Sequence, residues 1–157
     1  MAAENGNHIS IGALGRMYLY GYGVPQDHTK ALDWLRKGRE SRELSSGNVE
    51  YNLSVMYRNG WGVPKDHKKA FELAYQAAKA GHAYAQNALG ANYQQGTGVS
   101  QDYVLMQMWY IIAEQNGNEL AVSNRKFNTR RITSSDLSKA KIMAKECMSS
   151  GYKKCGY

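Results

Sequence analysis

The groups with the most chemical reach in this 157-residue chain are two thiols, Cys147 and Cys155, and four imidazoles, His8, His28, His67 and His82. Two thiols so spaced can oxidise to a disulfide, stay reduced in a core, or contribute to a metal site. Two sulfurs alone make a poor metal site, and no histidine lies near them in sequence, so no metal is expected. Imidazoles serve as bases and ligands, but His28 and His67 hold the same place in a repeated phrase, which points to register rather than chemistry. His8 and His82 both follow a unit-to-unit loop and are read the same way. Trp34, Trp61 and Trp109 read as core or turn packing. The chain has no Walker-type phosphate loop, no His-Glu-x-x-His and no Gly-x-Ser-x-Gly. No pair of carboxylates is spaced for acid–base work. A non-enzymatic protein with no cofactor is expected.

The elements that carry these residues announce themselves by repetition. The phrases YLYGYGVPQD at Tyr18–Asp27, YRNGWGVPKD at Tyr57–Asp66 and YQQGTGVSQD at Tyr93–Asp102 each follow Leu and a small residue: Leu14-Gly15, Leu53-Ser54 and Leu89-Gly90. From Leu14 to Leu53 is 39 residues and from Leu53 to Leu89 is 36, a period that belongs to stacked supersecondary units. Leu, the small residue and Tyr fall on one helix face. The glycine pairs Gly21/Gly23, Gly60/Gly62 and Gly96/Gly98 end that helix, and Pro25 and Pro64 keep it from resuming. Asp27, Asp66 and Asp102 stand where an N-cap would start a second helix. Each unit is therefore helix–turn–helix, with small residues where the two helices approach.

The string Leu-Gly-x-x-Tyr-x-x-Gly-x-Gly-Val-x-x-Asp, followed by a Lys-Ala and Ala-Ala-x-x-Gly helix, resembles the Sel1-like repeat family, a relative of the tetratricopeptide repeats. The resemblance implies an all-α, right-handed α-solenoid, with residues 1–157 as one domain. Residues 1–6 would be the end of a preceding unit, since Ala2-Ala3-Glu4-Asn5-Gly6 aligns with Ala77-Ala78-Lys79-Ala80-Gly81. That alignment suggests a fragment, or a mature form whose upstream sequence was removed. Repeats would then fill about 7–46, 47–81 and 82–117. Residues 118–157 would form a degenerate capping repeat. The first unit carries three extra residues around Arg42–Gly47. The cap lacks the Leu-Gly and Gly-x-Gly-Val signals, but Ser134-Ser135-Asp136 followed by Ala140, Met143 and Ala144 still reads as its second helix.

Cys147 aligns with Ala77 and Cys155 with Ala85, the close-packed positions flanking a unit-to-unit loop. The spacing is similar to the cysteine-rich branch of the family secreted by Helicobacter, in which each unit is stapled by a disulfide. A disulfide here implies an oxidising compartment, periplasm or exterior. A reduced buried pair is the alternative. β-Lactam binding is attributed to some cysteine-rich relatives, but no residue pattern here carries it over.

Charge is unevenly placed. Residues 1–119 hold 11 Lys/Arg and 11 Asp/Glu, whereas residues 120–157 hold 9 and 2, so the whole net charge of +7 sits in the last quarter. A basic end suits an acidic partner, anionic lipid or nucleic acid, or simple solvation. No nucleic-acid motif accompanies it, so no nucleic-acid partner is expected. No apolar run reaches membrane-spanning length.

In tetratricopeptide-like solenoids the first helix of each unit lines the concave face. Half a turn from each core Leu, the open row is read as Arg16, Leu19 and Tyr20 with Gly12, then Val55, Arg58 and Asn59 with Tyr51, then Ala91, Gln94 and Gln95 with Asn87, continued by Phe127, Arg130 and Arg131. The candidate partner-binding residues are Arg16, Tyr20, Tyr51, Arg58, Asn87, Gln94, Phe127, Arg130 and Arg131; the Tyr and Arg among them are types that dominate binding hot spots. The expected role is that of a monomeric, bacterial, periplasmic or secreted scaffold that binds a partner protein. The alternative implied by the family is an immunity protein that neutralises a secreted toxic effector such as a phospholipase; a hydrolase fits least.

Overall fold

The computed structural model describes residues 11–41 and 47–156. The opening Ala2–Gly6 segment, His8 and residues 42–46 of the insertion lie outside the described residues. The described residues form eight α-helices and no strand: α1 Ile11–Tyr20, α2 His28–Glu40, α3 Asn48–Asn59, α4 His67–Lys79, α5 Ala83–Gln95, α6 Tyr103–Gln115, α7 Glu119–Asn128 and α8 Ser134–Ser149, with a 3-10 turn over Thr129–Arg131 before α8. Successive pairs stack into an α-solenoid.

The repeated phrase builds the same hairpin three times. The first glycine of each pair ends the first helix at positive φ, +73° at Gly21, +74° at Gly60 and +69° at Gly96, where a side chain would be strained. The chain then folds back, and the aspartate's own N–H reaches the tyrosine that opened the phrase: Asp27 to the Tyr18 carbonyl at 2.9 Å, Asp66 to Tyr57 at 2.9 Å, Asp102 to Tyr93 at 3.0 Å. Its carboxylate accepts the N–H of Lys30 at 3.0 Å, Lys69 at 2.9 Å or Leu105 at 2.9 Å, capping the second helix.

The small residue after each Leu lets the paired helices close. A Cβ on Gly15 would lie 2.6 Å from Leu35 Cγ, and one on Gly90 would lie 2.5 Å from the Tyr110 ring. The second glycine of the phrase serves stacking between units. Gly62 sits against the His28 carbonyl, where a Cβ would come within 2.9 Å of the oxygen, and Gly98 sits against His67 in the same way and closer still. His28 and His67 are thus the first residues of α2 and α4, placed under the next unit's turn, and His28 also stacks on Trp61 with ring centroids 5.1 Å apart.

The core runs along the stack as two clusters. One cluster joins the first two units through Leu19, Leu35, Leu53, Met56 and Leu73. A second runs from Ala74 through Leu89, Tyr93, Trp109 and Ile112 to Cys147 and Cys155. Each large aliphatic side chain so enclosed contributes about 1.5–3 kcal/mol of burial. Cys147 and Cys155 are joined in a disulfide with their Cα atoms 4.5 Å apart. They occupy the places of Ala77 and Ala85, which are fully buried at the preceding junction.

Leu19 and Val55 depart from the half-turn reading. Both were expected on the open row, yet Leu19 is fully buried and Val55 is 5% exposed. Each first helix is flanked by its own partner and by neighbouring units, so only a narrow strip of it reaches solvent. Gly12 is buried for the same reason.

Candidate functional site

The strip that remains open widens into a cleft of about 360 Å³ where three units meet. Arg16 and Tyr20 reach it from α1, Tyr51 and Asn52 from α3, and His82 and Tyr84 from the start of α5, with Tyr22 entering from the first hairpin turn. Tyr20 and Tyr22 stack at 5.6 Å between centroids. Tyr51 stacks on His82 at 4.5 Å and lies 6.4 Å from Tyr84. Tyr20 and Tyr51 are half-buried, whereas Tyr22 and Tyr84 stand at the rim, about three-fifths exposed.

Local structure fixes His82. It is the N-cap of α5: its Nδ1 accepts the Ala85 N–H at 3.2 Å. Its Nε2, which must then carry the proton, donates to Asn48 Oδ1 at 3.1 Å. Burial lowers the pKa of this ring below the ordinary histidine value. Burial likewise raises the Tyr20 and Tyr51 hydroxyls, a rise that neighbouring tyrosines reinforce and Arg58 opposes. The cleft therefore offers neutral phenols and a neutral imidazole beside the guanidinium of Arg16, with the charge of Arg58 acting from outside its lining. Among the described residues that line it there is no carboxylate, thiol or serine hydroxyl.

The nine expected contact residues fall into three groups. Arg16, Tyr20 and Tyr51 meet in the cleft, and the charge of Arg58 reaches both tyrosines. Asn87 and Gln94 are engaged within the stack: Asn124 Nδ2 of α7 donates to Asn87 Oδ1 at 2.9 Å, and Gln94 Oε1 accepts from Tyr110 OH of its own unit at 2.8 Å and from Asn128 Nδ2 of α7 at 3.1 Å. Phe127, 72% exposed, stands with Arg130 and Arg131 at the far end. Tyr22, His82 and Tyr84 were not among the expected residues. The available signal was their aromatic density beside the turn and the unit-to-unit loop.

No cluster of three or more His, Cys, Asp or Glu residues suited to a metal occurs among the described residues. No helix of these residues is long and apolar enough to cross a membrane.

A stack of helical hairpins with an open aromatic cleft defines a solenoid of the interaction class. The family model for the Sel1 repeat matches residues 10–41, 48–82 and 83–118, and the chain belongs to the Sel1 repeat family. Such repeats are generally protein–protein interaction modules. The fold is similar to that of a protective antigen of uropathogenic Escherichia coli displaying an SLR fold, with 33% identity and a TM-score of 0.71 over 83% of this chain and 27% of that one. It is also similar to a Sel1 repeat protein from Oxalobacter formigenes, with 25% identity and a TM-score of 0.67 over 75% of this chain and 46% of that one. The chain thus spans less than half the length of either.

Proposed function

We propose that this protein is a non-catalytic interaction module that binds a partner protein in the cleft between Tyr20 and Tyr51. The observation that carries this reading is the convergence of Arg16, Tyr20 and Tyr51 from two successive first helices with His82 and Tyr84 from a third. Tyrosine gives large contact area at low entropic cost, and arginine adds paired hydrogen bonds to carboxylate or backbone oxygens. The proposed setting is the bacterial periplasm or the exterior, supported by the disulfide between Cys147 and Cys155. The protein acts there as a monomeric scaffold.

The test is a pull-down from envelope extract with the oxidised protein, repeated with Tyr20→Ala, Tyr51→Ala and Arg58→Ala combined. Partners present with the wild type and absent with the triple variant support the reading. Partners captured equally by both would sink it. Several envelope proteins would mark a scaffold. A single stoichiometric toxic effector would instead mark an immunity protein.

A further inference from the structure

The last two helices do not close on each other as the three earlier pairs do. α7 and α8 both pack on α6 and hardly touch one another. Between them runs a groove of about 860 Å³ that shares no lining residue with the tyrosine cleft. Met148 of α8 is its part-exposed apolar contact, above a base of Ile111 and Ala144 that is already buried in the core.

The polar rim has one sign. Lys141 and Lys145 stand one turn apart on α8, in a stripe with Ala144 and Met148 at helical spacing. Both lysines are exposed, and neither is in an ion pair among the described residues. The single carboxylate in the lining, Glu114, is already neutralised: Arg125 of α7 holds its two oxygens at 2.5 and 3.3 Å. The groove therefore presents Met148 and two exposed positive charges without an ion-pair partner among the described residues. Its wall is pinned, because Cys147 of α8 is tied to Cys155.

The geometry points to this groove as the docking site for an acidic amphipathic helix of a partner protein. An apolar residue of that helix covers Met148 and the aliphatic stems of the lysines, and its flanking carboxylates meet Lys141 and Lys145. The part of α8 that lines the groove, from Lys141 to Met148, is a wall roughly 10 Å long, which meets about two turns of an incoming helix. A second copy of the chain fits poorly, since residues 120–157 carry 9 basic and 2 acidic residues and would face their like. A recessed groove also suits an inserted helix better than a flat lipid surface.

The test is to pan a displayed library of randomised helical peptides on the oxidised protein and to measure the recovered peptides by fluorescence anisotropy. They are compared on the wild type, on Lys141→Glu/Lys145→Glu and on Tyr51→Ala, with circular dichroism confirming that each variant folds. Phosphatidylglycerol vesicles and sedimentation of the protein alone are run beside them. The expected result is a class of peptides with net negative charge and apolar residues at helical spacing. These weaken by roughly tenfold or more on the charge-reversed protein and are unchanged by Tyr51→Ala. The proposal is overturned if no recovered peptide responds to the charge reversal, or if the responsive ones are neutral or basic. It is equally overturned if the reversal alters only vesicle binding or self-association. Loss of binding through Tyr51→Ala alone would leave the cleft standing and remove the groove.

Discussion

Tyr51 of α3 lies flat against His82, with ring centroids 4.5 Å apart, and the same imidazole caps the first turn of α5. The wall of the cleft and the start of the third unit are therefore one piece of structure. A change in the charge of His82 disturbs both.

Protonation removes the lone pair with which Nδ1 accepts the Ala85 N–H, and it puts positive charge at a helix N-terminus. The folded pKa of His82 is lowered by burial, so the folded state binds this proton less readily than the unfolded chain does. The stability it contributes is fully present above the unfolded value, about 6.5, and is lost as pH falls through the lower folded value. Urea midpoints measured from pH 8 downward should fall below about pH 6.5. His82→Asn should flatten that decline, because Asn118 already caps α7 in the equivalent place with its side chain accepting from Ala121.

Two glycines with similar backbones should differ in cost. Gly98 has φ +74° and Gly117 has φ +86°, so alanine at either pays about 1–2 kcal/mol for the left-handed conformation. A Cβ at Gly117 meets nothing within 4 Å, whereas at Gly98 it runs into the His67 carbonyl. Gly98→Ala should cost a further 1–3 kcal/mol, roughly the penalty of overpacking. Chemical denaturation of the two variants checks this, and equal costs would mean that the stacking contact yields freely.

The hairpins were readable because their signals are local. Gly60, Pro64 and Asp66 dictate a turn and a cap within one stretch of chain, and the structure places Asp66 as the cap of α4. The disulfide was readable because Cys147 and Cys155 inherit places held elsewhere by Ala77 and Ala85. The cleft was only half readable. Tyr20 and Tyr51 follow from the half-turn rule within one helix, but Tyr84 and His82 join them through the rotation between units, which no single unit encodes. The burial of Leu19 and the engagement of Gln94 with α7 escape the rule for the same reason. The splaying of α7 from α8 had no signal, since the last unit lacks the Leu-Gly pair that closes the others.

Gln94 should prove a structural residue in stability measurements whatever its part in binding. Its Oε1 accepts the hydroxyl of Tyr110, a buried side chain whose pKa burial pushes up to about 12. Gln94→Ala leaves that hydroxyl without its partner and should cost about 1–3 kcal/mol. Gln95→Ala, one residue on and exposed, should stay within about 0.5 kcal/mol of the wild type. Thermal melts of the pair settle the comparison.

Reduction of Cys147–Cys155 opens a loop with a sequence separation of 8 and should cost roughly 2–3 kcal/mol in the chain-entropy account. Cys147→Ala/Cys155→Ala restores the pair found at Ala77 and Ala85, so that variant should keep its helical circular dichroism while losing the same amount. A variant as stable as the oxidised wild type would show that the cap gains nothing from its crosslink.

Whether a partner sits in the tyrosine cleft can be read by site-specific photo-crosslinking in the native organism. A benzoylphenylalanine replaces Tyr84 at the rim of the cleft or, as the control, Glu72 exposed on α4. A partner bound in the cleft gives a discrete adduct from position 84 and none from position 72. An adduct from position 72 with none from position 84 would contradict it.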